Sequence, residues 1–314
     1  MNPMLQTLDV LTVGEPMALF TALSPGPLER VREWQRSVAG AELNVAIGLA
    51  RLGLMVGYLS RVGQDSFGRS VLAALAHDGV SGALVRVDAT QRTGFMLKAR
   101  AAPGTDPAIE YHRAGSAASH LSIADAPHEG CAFGWLHLSG VAAAVSDSLR
   151  ELVLELAVRA RAAGRRVSFD PNLRPQLWAS PDVMANAINA LSLQAGLVLP
   201  GLAEGRFLTG LERPDEIAAW YLDHGAQQVA IKLGPQGAYV ADESGLRGLV
   251  PGIAVSGVVD TVGAGDGFAV GVISGLIDGL SLDQAAERGN RIGARVVQFP
   301  GDSDGLPTRQ ELGP

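Results

Sequence analysis

Between residues 122 and 241, short β-rich apolar runs alternate with segments of helical period, and this restricts the fold more than any other feature of the chain. The runs occupy 133–138, 166–170, 197–199, 229–233 and 238–241, with a helical stretch over 146–163. Strand, helix, strand order implies a mainly parallel sheet with helices on both faces. Upstream, 8–13 reads as a buried first strand ending at Gly14. Residues 39–52 read as a helix stopped by Gly53, 55–60 as a second strand, and 68–77 as another helix. From 85 to 111 the character changes to short alternating strands around the loop AAPGTDP, which suggests a small antiparallel element projecting from the main sheet.

Composition narrows the function. The chain has 314 residues, 47% of them hydrophobic and 18% charged, which fits a globular enzyme-like chain and excludes disorder. A net charge of −7 removes nucleic acid as a default partner, so an anionic substrate needs a local Arg or Lys cluster. Cys131 is the only cysteine, which excludes an intrachain disulfide and a cysteine-rich metal site. The N-terminus lacks a basic leader and no apolar run is long enough to cross a bilayer, so the expected location is the cytoplasm, with no membrane partner.

Strand ends followed by Gly140, Asp170, Pro200 and Gly234 fall along one carboxyl edge, where open α/β sheets bind ligands. Near the C-terminus the chain runs DTVGAGDGFAVGVISGL from Asp260 to Leu276. Gly263 and Gly265 let the backbone bend close to a ligand, and a following helix, expected to begin near Gly267, presents its N–H groups and positive dipole end to a phosphate. A carboxylate at Asp266 would repel that phosphate and is better explained as the group that takes a proton from an attacking hydroxyl. The spacing is not that of a P-loop, and its late position weakens a dinucleotide-binding reading.

DTVGAGDGF resembles the C-terminal signature of the ribokinase-like sugar kinases, the PfkB family, as do AGAELNVAIGLARLG, SRVGQDSFGR and IKLGPQGAYV. The resemblance implies a single kinase domain over 1–314 with a three-layer α/β/α fold, a mostly parallel central sheet, and a small β lid from about 15–38 and 85–115. It implies ATP-dependent phosphorylation of a sugar hydroxyl, with Mg2+ as cofactor and a monovalent cation as an open further one. Asp266 becomes the general base, and the N–H groups of Gly263, Ala264, Gly265 and Asp266 stabilise the transferring phosphoryl group. Lids in the family often pair between subunits, which implies a homo-oligomer.

Within the family, GEPMALF, YHRAGSAASHLS, FDPNLRPQLW and GDSDGLPTR are most similar to the kinases that act on 2-keto-3-deoxygluconate. By that similarity Tyr111 and Arg113 contact a sugar acid from the lid, Gly40 and Asn44 hold its hydroxyls, Arg174 reaches substrate or phosphate, and Asp302 closes the acceptor pocket. Asn172, Lys232, Gly234, Gly237 and Asn290 resemble nucleotide-binding positions, with Gly263 and Gly265. Many relatives carry Asn-x-x-Glu for magnesium; here Gly201 replaces the Asn, leaving Glu204 to act through metal-bound water.

Other readings stay open at this point. Arg113 alone reads as a solvated strand-edge charge, and Asp170 with Asn172 as a turn before Pro175. His112, His120 and His137 read as structural or surface residues, and Ser116 and Ser139 lack a nucleophile elbow. The acceptor could be the galactonate epimer, fructose or ribose, or the chain could bind a sugar acid without turning it over.

Overall fold

The computed structural model describes residues 7–100, 107–128 and 131–313; most of the loop read at 101–107 lies outside them. In chain order the strands are β1 (Leu8–Val13), β2 (Met17–Ala22), β3 (Trp34–Ala39), β4 (Val56–Gly63), β5 (Val85–Asp88), β6 (Phe95–Lys98), β7 (Ile109–His112), β8 (Phe133–Ser139), β9 (Arg166–Asp170), β10 (Leu197–Val198), β11 (Gln228–Lys232), β12 (Gly237–Asp242) and β13 (Arg247–Pro251). The helices are α1 (Ala41–Arg51), α2 (Ser66–His77), α3 (Gly140–Val145), α4 (Asp147–Ala162), α5 (Pro181–Ser192), α6 (Leu202–Thr209), α7 (Pro214–Asp223), α8 (Ala264–Ile277), α9 (Leu282–Val296) and α10 (Arg309–Leu312). Among the described residues no helix is long and apolar enough to cross a membrane.

The large sheet has the order β13-β12-β11-β10-β9-β8-β1-β4-β5. From β11 to β5 every neighbouring pair is parallel, and β12 and β13 extend one edge antiparallel. Side chains of β1 alternate between two cores: Val10 packs with α1, α2, α8 and α9, whereas Leu11 and Val13 pack with α4, α5 and α7. Both faces are therefore covered, as a parallel sheet requires. The chain proceeds from β1 outward to β5 and then returns to β8 on the other side of β1, so the topological switch lies between β1 and β8. A crevice opens at the carboxyl ends of strands that flank such a point.

The small sheet has the order β3-β2-β6-β7. Its two hairpin pairs are antiparallel, but the central β2–β6 pair is parallel, because each strand enters the sheet from the main body in the same direction. Val85–Asp88, expected in this element, instead pairs with β4 as the far edge of the large sheet. The second lid segment thus begins at Phe95. Strand β13, with Gly248 and Pro251 and a mostly exposed pattern, has no apolar run to mark it in the sequence.

Helix α8 starts at Ala264, three residues before the expected position, because Gly263 at φ 84° is its N-cap. A residue with a Cβ is strained at that φ, and a Cβ on Gly263 would lie 2.4 Å from the carbonyl oxygen of Asp302. Helix α8 is buried on nearly every face, which explains its unbroken apolar sequence. Gly271 and Gly275 let α9 approach: a Cβ on Gly271 would lie 2.5 Å from the Gly289 backbone.

Candidate active site

A cavity of about 580 Å³ lies between the lid and the carboxyl edge of the sheet. Its wall includes Gly40, Asn44, Tyr111, Arg113, Asn172, Arg174, Asp266 and Asp302, together with Met17, Met96 and Ile109 from the lid. A second cavity of about 650 Å³ lies beyond the first turn of α8 and is lined by Gly234, Gly237, Ala264, Phe268 and Asn290, with Ile253, Val255 and Val258 giving it an apolar wall. Lys232, Thr261 and Gly265 line both. The two spaces therefore meet over the start of α8. Asn172, expected on the nucleotide side, lines the first cavity, and Glu204 lines neither.

No side chain caps α8. Ala264 donates its N–H to the Thr261 carbonyl at 3.4 Å, and Gly267 donates within the helix to Gly263, which leaves the amides of Gly265 and Asp266 at the junction of the cavities. Such an uncapped N-terminus attracts anions. Lys232 adds charge there, since a Cβ on Gly265 would lie 3.5 Å from its Nζ. Lys232 is tied into the site: its Nζ donates to both oxygens of Asp170, at 2.8 and 2.7 Å. Burial opposes the charged form of Lys232, but Asp170 and then Glu204 outweigh it and hold its pKa above the ordinary lysine value. Burial also pushes the Asp170 carboxyl up to about 6, against the pull of Lys232.

Asp266 is the third residue of α8 and is 9% exposed. Asn44 Nδ2 donates to its Oδ2 at 2.8 Å. Burial pushes its carboxyl up to about 8; Asp170 and Asp302 add repulsion, whereas the Asn44 hydrogen bond and Arg174 act in the other direction. A carboxyl poised near neutrality, on the wall of the acceptor cavity and one residue from the anion-binding amides, has the placement of a general base. Asn44 Oδ1 is buried without a partner among the described residues, an acceptor that a ligand hydroxyl would satisfy.

Arg113 is 8% exposed and is not a solvated strand-edge charge. Its Nε donates to Glu15 Oε2 at 2.6 Å, and Nη2, 2.5 Å from the same oxygen, has no hydrogen-bond geometry to any acceptor. Ser116 donates to the other Glu15 oxygen. Glu15 thus orients the guanidinium and leaves donors over for a ligand. Arg174 is held by its Nη1 to the Leu173 carbonyl at 2.8 Å. Asn290 is less available than its sequence position implies, because Nδ2 donates to the carbonyls of Val250 and Pro251. Gly40, at φ 152°, caps α1, and a Cβ there would lie 2.7 Å from the Glu15 carbonyl oxygen.

The histidines are structural or surface groups as expected: His112 stacks on Phe95, and His137 is buried and, through burial, held neutral with a pKa near about 3. Ser139 donates to Glu42 and Ser116 to Glu15, so neither is aimed at a ligand as a nucleophile.

Both oxygens of Glu204 accept backbone N–H groups, from Leu173 at 2.8 Å and Gly201 at 2.7 Å. Among the described residues no three His, Cys, Asp or Glu side chains cluster as a metal site. A magnesium ion would therefore have to be held mainly by phosphates and water, because both Asp170 oxygens accept from Lys232 and both Glu204 oxygens accept backbone N–H groups.

Sequence reasoning missed Lys98 and Glu15, which hold the cavity-lining residues Asp302 and Arg113. Lys98 shares the inward face of β6 with Met96, and a lysine at a core position of an alternating strand was the available signal.

Comparison with known proteins agrees with this geometry. Residues 7–309 match the model of the pfkB family carbohydrate kinases. The chain is 47% identical over 308 residues to the 2-dehydro-3-deoxygluconokinase of Bacillus subtilis (strain 168), covering 97% of this chain and 94% of that one. A crystal structure of a PfkB protein from Polaromonas sp. JS666 superposes with a TM-score of 0.89 at 51% identity, covering 98% and 99% of the two chains. A putative Ribokinase II from E. coli, crystallised in complex with ATP and Mg2+, superposes with a TM-score of 0.88 at 26% identity, covering 97% of each. The chain belongs to the pfkB family of carbohydrate kinases and is an ATP-dependent sugar kinase with the ribokinase-like fold.

Proposed function

We propose that the chain transfers the γ-phosphoryl group of Mg·ATP to the terminal hydroxyl of 2-keto-3-deoxygluconate, giving 2-keto-3-deoxy-6-phosphogluconate. The observation that carries this reading is the meeting of two cavities over the first turn of α8, with Asp266 on the acceptor side. Asp266 takes the hydroxyl proton as the oxygen attacks, and the amides of Gly265 and Asp266, with Lys232, face the charge that spreads over the phosphoryl oxygens. Magnesium bound with the nucleotide would supply neutralisation of phosphate charge, and Asp170 on the cavity wall and Glu204 behind it are the carboxylates that would act on it through water. Gly234 and Gly237 leave room for the nucleotide beside Asn290.

Arg113, Arg174 and Tyr111 on the acceptor wall support an acid over a neutral sugar, since a guanidinium pairs with a carboxylate through charge-assisted hydrogen bonds. Met17, Met96 and Ile109 supply an apolar surface suited to a deoxygenated carbon. The intact base and cradle support turnover over simple binding. The same reading makes the lid the contact between copies of the chain in a homo-oligomer.

The test is a coupled ATP-consumption assay over 2-keto-3-deoxygluconate, its galactonate epimer, fructose and ribose. The acid is expected to exceed the neutral sugars strongly in kcat/KM, and Arg113→Ala is expected to raise KM for the acid by removing a charged hydrogen bond of about 1.5–3 kcal/mol. Equal turnover of ribose or fructose would overturn the sugar-acid assignment.

A further inference from the structure

Two carboxylates flank the glycine turn at close range. Asp260 opens it, with one side-chain oxygen accepting the Val262 N–H at 3.0 Å, and Asp302 lies beneath Gly263, whose Cα faces the Asp302 carbonyl. Both are nearly buried, at 8% and 5% side-chain exposure, and Asp302 lines the first cavity, which meets the proposed phosphoryl site. Like charges so placed would push the turn apart unless a cation stood between them.

Lys98 is that cation. It arrives from lid strand β6 with its side chain 2% exposed, donates from Nζ to Asp302 Oδ1 at 2.8 Å, and forms an ion pair with Asp260. Burial opposes its charge, but Asp302 and Asp260 hold its pKa above the ordinary lysine value. Its partners lie 162 and 204 positions further along the chain, 260 − 98 and 302 − 98, so one ammonium joins the lid to both segments that support the start of α8. The acidic pair is occupied by the Lys98 ammonium.

We propose that Lys98 is a positioning residue: an internal cation, carried by the lid, that fixes the anion-binding turn and takes the place that a dissociable monovalent cation would otherwise fill. The proposal rests on the assignment of the α8 turn as the phosphoryl site. It implies that the native enzyme needs no monovalent cation there and that removing the ammonium creates such a need.

Turnover of the purified full chain is measured in choline chloride and, at equal ionic strength, in KCl or ethylammonium chloride, for wild type and Lys98→Ala. Wild type is expected to show equal rates in all three. Lys98→Ala is expected to lose about 10- to 100-fold in kcat in choline, as small displacements of a reacting geometry do, and to regain several-fold with K+ or ethylammonium. Undiminished turnover of the variant in choline, or a loss that neither cation relieves in a folded variant, would overturn the proposal. If Lys98→Ala does not fold, the charge-balanced Lys98→Met/Asp260→Asn protein decides: turnover above that of Lys98→Met supports the proposal and none contradicts it. An inactive wild type would instead count against the kinase assignment of the turn.

Discussion

At the scale of single residues, the proposed chemistry depends on a carboxyl whose charged form the fold disfavours. Burial moves Asp266 from its ordinary value near 3.8 up to about 8, so the folded protein binds a proton that the unfolded chain has released. Between those values the folded state carries more protons than the unfolded one, and stability falls as pH rises. Asn at the same position cannot ionise and can still accept from Asn44. Asp266→Asn is therefore expected to melt above wild type at pH 8 and higher, with the difference shrinking toward pH 4, in paired thermal melts. A difference that does not change with pH would show that Asp266 ionises freely in the folded protein. Against that burial, the Asn44 hydrogen bond and the nearby charges of Arg174 and Lys232 favour the anion.

At the scale of elements, α8 does two things at once. Its N-terminus forms the proposed anion site, and its body is a buried strut packed on α9 through glycines. Alanine at position 271 gains helix propensity, worth up to about 1 kcal/mol over glycine, but its Cβ would sit 2.5 Å from the Gly289 backbone, which cannot rotate away. Overpacking of this kind costs about 1–3 kcal/mol, so the clash wins. Gly271→Ala is expected to lower stability in denaturant melts and to shift the cradle; a stabilised variant would mean that α9 is free to retreat. Much of this was legible beforehand. The parallel strands were visible as β-rich runs because burial on both faces demands continuous apolar sequence, and DTVGAGDGF marked the site. The start of α8 was not, because Gly263 caps it through a positive φ instead of a side chain. The environment of Arg113 was also hidden, since Glu15, its partner, lies 98 positions away. For Lys98 the strand alternation marked an inward lysine, but its partners Asp260 and Asp302 were hidden for the same reason, since pairing across a fold leaves no local pattern.

At the scale of the molecule, the switch point between β1 and β8 places the crevice, and the lid covers its acceptor half. The lid and α1 line the first cavity, β12 and α9 line the second, and Lys232, Thr261 and Gly265 line both. Closing the lid over this junction would exclude water, which could otherwise accept the phosphoryl group. The central claim is that Asp266 joins the two halves by moving the proton. It is tested most directly by comparing wild type and Asp266→Asn in the same preparation, with kcat from ATP consumption and Kd for sugar acid and ATP from calorimetric titration. The account predicts a loss of about 10²–10⁴-fold in kcat with both dissociation constants nearly unchanged; full turnover by Asp266→Asn would contradict it.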